Sequence, residues 1–172
     1  MEIVIDLLHM DDTIDELKEF KKTFDLNVTK YMTQLVDLGA EQAAQNFKTA
    51  QYDGANDVYV SSSVGKRRKK TVGEIEAFGK ATLFIEFGTG ITYGSDHPEA
   101  HKFGFRPGSY GPNGLKPTWG YYGEGGTNGA YQKTTARGDL YTTHGNPANR
   151  CMYEAGKTVE KLAPKIAREV FK

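Results

Sequence analysis

Apolar residues recur along this chain with two periods, and the changes of period mark its elements. "MEIVIDL" alternates, with Ile3 and Ile5 facing one way and Glu2 and Asp6 others, which predicts a short strand. In "DDTIDELKEFKKTF" the period lengthens. Ile14, Leu17, Phe20 and Phe24 fall on one helical stripe. Thr13 and Glu16 have capping-box spacing, in which hydroxyl and carboxylate satisfy free backbone N–H groups. "DLNVTKYMTQLVDLGAEQAAQNFKTAQ" predicts a second helix through Val28, Tyr31, Met32, Leu35, Leu38, Ala43 and Phe47. At about 26 residues it would be roughly 39 Å long. Gly39 sits in its middle, where glycine costs stability, and so predicts close approach of another backbone. "YDGAND" is turn chemistry and ends the helix.

Alternation then returns three times. "DVYVSSSV" pairs Val58 with Val60, and "KTVGEIEAFG" carries Val72, Ile75 and Phe78. "ATLFIEF" sets Leu83, Ile85 and Phe87 against Thr82, Phe84 and Glu86. With "GKRRKK" and Gly79-Lys80 as connections, these predict an antiparallel meander whose last strand closes the core. From Gly88 to Gly145 the composition shifts to 14 of the 20 glycines and six of the ten tyrosines. This insertion has three aliphatic side chains, Ile91, Leu115 and Leu140, too few for a core of its own. Loops of such length are functional or disordered when they occur. Helix returns in "NPANRCMYEAGKTVEKLAPKIAREVFK", with Asn146 as N-cap and Pro147 at the first position. Its stripe runs through Cys151, Met152, Ala155, Val159, Leu162, Ala163, Ile166 and Val170, and Pro164 should kink or split it.

The length, 172 residues, suits one domain spanning the whole chain. Twenty-two basic residues balance 22 acidic ones, so a general polyanion binder is not the default. Cys151 is the single cysteine, which excludes an intrachain disulfide. No run of residues reaches the roughly 18 apolar positions of a membrane span, and the acidic N-terminus lacks the basic start of a signal peptide. The expectation is a soluble intracellular protein with no membrane association.

Candidate chemistry is sparse. His97 and His101 stand four apart in "HPEAH", with His144 and Cys151 as further ligands for a metal hydrolase. The segment is rich in Gly and Pro and lacks the Glu of His-Glu-x-x-His, so exposed loop histidines are the better reading and no metal or cofactor is expected. Apolar neighbours make Cys151 a buried structural thiol. Lys66, Arg67, Arg68, Lys69 and Lys70 are five consecutive cations, read as a solvated hairpin tip or as a contact for DNA phosphates. "WGYYGEGG" places Trp119, Tyr121 and Tyr122 together, a pattern that stacks on sugars or bases or packs against protein. A glycan- or nucleic-acid-binding module using these aromatics and the basic cluster is therefore the alternative to a structural protein. "GTGITYG" lacks the Gly-Lys-Ser/Thr ending of a phosphate loop, and Glu74 with Glu76 reads as a solvated strand face.

The short N-terminal strand, the long helix ending in "YDG", the meander ending "FIEFGTGI", the Gly/aromatic insertion and the final helix occur in a distinctive order. With the local motifs "EFGTG" (Glu86 to Gly90) and "PANRCMYEA" (Pro147 to Ala155), the chain resembles the tail-completion, or head–tail joining, proteins of long-tailed bacteriophages, the gene-product-ten-like minor tail proteins. Cys151 stands where that family more often has Phe or Met. The resemblance implies an α+β fold, a small twisted antiparallel sheet against two long helices, and a non-enzymatic role in the virion neck. It implies a ring, commonly of six subunits, that closes the tail tube. Its partners would be copies of itself, the head-closure or connector protein and the tail-tube protein, with DNA passing through but not specifically bound. Glu86, Gly88, Thr89, Gly90, Trp119, Tyr121 and Tyr122 are the expected assembly interface, with the insertion reaching a neighbouring subunit.

Overall fold

The computed structural model of the protein describes residues 10–93, 96–108, 113–127 and 129–172. The strand expected in "MEIVIDL" lies outside the described residues. The fold is α+β, with long helices near both ends and, among the described residues, two small antiparallel sheets. Its spine is α1, Met10–Lys48, 39 residues and therefore about 58 Å long. Two helices were expected here; one forms. Asp25-Leu26-Asn27 holds neither Gly nor Pro to break the helix, and the i,i+4 pair Lys21–Asp25, 2.9 Å apart, spans the expected boundary. Thr13 accordingly lies inside α1 and is not its N-cap.

Two elements lie along α1. The hairpin of β1 (Tyr59–Arg67) and β2 (Lys70–Phe78) pairs in register from Tyr59 opposite Phe78 to Arg67 opposite Lys70. Ser62 Oγ donates to Asp37 Oδ1 at 3.0 Å, and Gly73 lets the hairpin approach Val36 where a methyl group would overlap it. The C-terminal helix α3, Cys151–Val170, runs antiparallel to α1. Its start is held where Asn46 Nδ2 donates to the Cys151 carbonyl at 3.0 Å, and just past its end Phe171 packs on Tyr31 and Phe24 with ring centroids 5.9 and 5.8 Å apart. A methyl at Gly39 would overlap Ile75 of the hairpin and Val159 of α3. The close approach expected there is thus made by side chains from both neighbours rather than by backbone. α3 is assigned as one unbroken helix with Pro164 inside it, so the proline does not split it.

The third meander strand does not exist. "ATLFIEF" forms a short helix, α2, Thr82–Phe87. Nearly every position in that stretch is apolar, so it fits a period of two or of 3.6 equally well. The helical choice is supported from outside: the Asp57 carboxylate accepts from the backbone N–H groups of Lys80 and Ala81, both at 3.0 Å. These bonds also hold the Asp57 carboxyl below its ordinary pKa. Ala81 and Ile85 then share the buried face, with Phe47 and Cys151 completing the core cluster, whereas Leu83 is half exposed and not the core residue expected.

The insertion is more regular than its composition predicts. After a 3₁₀ turn at Ala100–Phe103 come β3 (Trp119–Tyr122), β4 (Ala130–Thr135) and β5 (Gly138–Thr143), in spatial order β3-β5-β4. Tyr121 and Tyr131 both pack on Tyr141 across the strands, at 5.8 and 5.6 Å between centroids. Aromatic cross-strand pairs stabilise this sheet in place of aliphatic burial.

Candidate functional site

Three stretches far apart in sequence, residues 51–53, 85–90 and 145–153, meet in one hydrogen-bonded junction beneath α3. Thr89 and Asn146 exchange backbone bonds, Thr89 N–H to Asn146 O at 2.8 Å and Asn146 N–H to Thr89 O at 3.1 Å. The Asn146 side chain bridges further, accepting from Asp53 N–H at 2.7 Å and donating to Thr89 Oγ1 at 3.1 Å. Asn149 accepts from Gln51 N–H at 2.8 Å and donates to the Gln51 carbonyl at 3.0 Å. Gly88 and Gly90 turn with φ of 75° and 78°, in the left-handed region that side chains disfavour, and both are buried.

Glu86 is the centre of the junction's other half. It is buried, and its carboxylate accepts from Met152 N–H at 2.8 Å and Tyr153 N–H at 3.1 Å. An anion placed there satisfies orphan donors at the first turn of α3 and opposes its dipole. This overturns the expected cap. α3 begins at Cys151, not at Asn146-Pro147, because a carboxylate delivered by α2 does the capping while Asn146 and Asn149 bind elsewhere. His97 is buried as well, a correction to the exposed loop histidine expected. Its Nδ1 accepts from Glu99 N–H at 3.1 Å, so Nε2 carries the proton and donates to Glu86 Oε1 at 3.0 Å. His101 is exposed on the 3₁₀ turn, and His144 is exposed and bonds Thr118 and the Pro117 carbonyl. The three histidines thus occupy three separate places. Cys151 is fully buried, and burial with the nearby Glu86 charge pushes its thiol up to about 12.

Beside the junction lies a cleft of about 350 Å³ whose lining includes Tyr52, Asp53, Trp119, Tyr121 and Tyr122. Trp119 packs its ring over Gly90, Tyr122 is half exposed, and the Asp53 carboxylate accepts from Thr143 at 2.5 Å. Of the residues expected at an interface, Glu86, Gly88 and Gly90 face inward, while Thr89, Trp119, Tyr121 and Tyr122 keep accessible surface.

Exposed apolar surface lies in two places. On the first four turns of α1, Met10, Ile14, Leu17, Phe20 and Phe24 stand between 40% and 55% exposed along one stripe. At the far end of α1, beside the start of α3, a groove of about 410 Å³ opens over the Glu86–His97 pair and is otherwise lined mostly by apolar side chains, among them Ala77, Leu83, Phe87, Phe103, Met152 and Tyr153. The sequence pattern marked the stripe as one face of a helix without saying what covers it, and it did not show the groove. The only signal for the stripe was that the helix bearing it outruns the elements available to cover it. No protein-family model, curated protein or solved structure matches the chain.

Proposed function

We propose that this chain is a head–tail joining protein of a long-tailed bacteriophage, a non-enzymatic subunit of the neck ring that closes the tail tube and meets the head connector. The observation that carries the reading is the pair of exposed apolar surfaces at opposite ends of α1, the Met10–Phe24 stripe and the Leu83–Phe103–Tyr153 groove. Phe20 and Asn46, which mark the two ends, are about 39 Å apart along the helix. Two different surfaces on one chain make a head-to-tail contact, and such contacts generate rings when the rotation closes. The resemblance through "EFGTG" and "PANRCMYEA" supplies the identity of the ring and its partners, the connector and tail-tube proteins. The junction supports it in a second way: the stretches that carry the resemblance also bond to one another, through Arg150, Met152 and Tyr153 N–H to Glu86.

Sedimentation velocity with electron microscopy of the wild-type chain tests the reading. The expected result is a closed ring, commonly of six. Ile14→Ser, Leu17→Ser and Phe20→Ser together should weaken association by roughly a thousandfold, as loss of three buried apolar anchors does, with the monomer still folded. A chain that stays monomeric throughout, or a triple variant that assembles as before, sinks the proposal. The aromatic cleft favours a second reading, a glycan-binding module. Titration of the single tryptophan's fluorescence with oligosaccharides separates the two.

A further inference from the structure

The five cations at the hairpin tip do not stand alone. The turn is Arg68-Lys69, between the paired ends Arg67 and Lys70, and all of Lys66 to Lys70 are exposed. Across a recess of about 350 Å³, Lys66 faces Lys18, Lys21 and Lys22 of α1. Lys66 thus joins three α1 lysines on one face of the hairpin, Arg67 and Lys70 lie on its other face, and Arg68 and Lys69 form the tip between them. Four carboxylates answer them: Asp15 to Lys18 at 2.7 Å, Asp25 to Lys21 at 2.9 Å, Glu19 to Lys22 at 3.7 Å and Glu74 to Arg67 at 2.7 Å. Among the described residues, Lys66, Arg68, Lys69 and Lys70 form no ion pair. A chain with 22 charges of each sign thus concentrates positive charge at one place.

The turn itself is a second, independent observation. Arg68 has φ of 57°, while Lys69 does not share the left-handed conformation. A two-residue hairpin turn with positive φ at its first central residue favours Gly there. Arginine at that position is a less stable choice for the turn, and residues held in disfavoured backbone conformations point to a use for the side chain.

We propose that the hairpin tip and the adjoining α1 lysines form a binding surface for the phosphate backbone of double-stranded DNA, without base-sequence preference. The duplex carries about one charge per 1.7 Å of axis, a density that the closely spaced cations of the tip suit, although Lys66 also feels the Asp25 carboxylate across the recess. No aromatic ring lines the recess, so nothing there stacks on an unpaired base. Lys66 to Lys70 include no apolar side chain to enter a bilayer, which a membrane-surface site would combine with its charge. The inference is independent of ring assembly, since every residue it uses lies in one chain.

Fluorescence anisotropy of a short labelled duplex, titrated with the full chain at several salt concentrations, tests it. With about four phosphates neutralised, affinity should fall roughly a hundredfold between about 50 and 200 mM salt. Changing Lys66 to Lys70 all to Ser should abolish binding while leaving the melting temperature unchanged, as surface substitutions do. Arg68→Gly should weaken binding, with a deficit against the wild type roughly threefold larger at about 50 mM than at about 200 mM salt, yet keep or raise the melting temperature because Gly suits the turn. Lys18→Ser, Lys21→Ser and Lys22→Ser together should weaken binding less than the tip change. The proposal is overturned if the wild-type chain fails to bind at the lowest salt, if the tip variant binds as the wild type does, or if anionic vesicles of phosphatidylserine and phosphatidylcholine are bound as well as the duplex.

Discussion

The two halves of α1 carry one apolar stripe and meet two fates. From Leu35 to Phe47 the stripe is covered by the hairpin on one side and by α3 on the other, and Leu35, Val36, Ala43 and Phe47 are buried. From Met10 to Phe24 the stripe continues at the same period, but its large side chains stand about half exposed. The difference comes from the lengths of the neighbours. α3 has 20 residues against 39 in α1, and its terminal contact, Phe171 with Phe24, marks where its cover ends. Periodicity therefore reports that a helix face requires a partner. It does not report whether the same chain provides one.

Breaking the buried half should produce the largest effect. Phe47→Ala should cost about 3–5 kcal/mol in chemical unfolding of the dilute chain, from lost burial and the cavity left behind. Phe20→Ala, the same substitution on the same helix, should cost below about 0.5 kcal/mol there. Comparable losses at the two sites would show that the Met10–Phe24 stripe is core. Ile85→Ala, fully buried in α2, should behave like Phe47→Ala, at about 2–5 kcal/mol.

Glu86→Gln sharpens the contrast at the junction that anchors the buried end. It removes the charge facing α3 and leaves an amide N–H₂ against the Met152 or Tyr153 donor, so a cost of about 1–3 kcal/mol is expected. Ser substitution of an exposed stripe residue such as Leu17 should not reproduce it. A Glu86→Gln chain with wild-type unfolding would mean that the cap contributes nothing.

A separate expected effect is alkaline. The Cys151 thiol in the folded chain sits at about 12 against an ordinary 9.0, so the folded state holds its proton longer than the unfolded one. Its contribution is intact below the ordinary thiol value and is lost as pH rises from there through about 12. Burial raises Tyr52 and Tyr121 as well, which adds loss of the same sign at high pH. Stability measured against pH should decline from about pH 9 upward, and Cys151→Ala should delay the onset. An unchanged onset in that variant contradicts the assignment.

Much of the fold was legible in the sequence where one period excluded the other. The long helices, the β1–β2 hairpin with its charged tip and the buried Cys151 all followed from pattern. The stretch 81–87 misled because its run of apolar residues satisfies either period, and its state was decided by Asp57, 24 residues upstream of Ala81. The insertion misled because its capacity to form regular structure was judged on aliphatics alone, although its six tyrosines had been noted. Tyr121, Tyr131 and Tyr141 pair across its strands, with threonines suited to the pleated surface. Glu86 and His97 were invisible as a pair, since a cap supplied by another element leaves no local spacing to read. The groove between α2, the 3₁₀ turn and α3 exists only once α2 is a helix.

Hydrogen exchange on the free chain and on the assembled ring tests the central claim most directly, because it reads both halves of α1 in one experiment. In the free chain the amides of residues 10–23 should exchange far faster than those of residues 35–47. In the ring the first set should slow toward the second, while the second stays as it was. If residues 10–23 are already as protected as residues 35–47 in the free chain, or remain fast in the ring, the exposed half of α1 is not an assembly surface and the account is wrong.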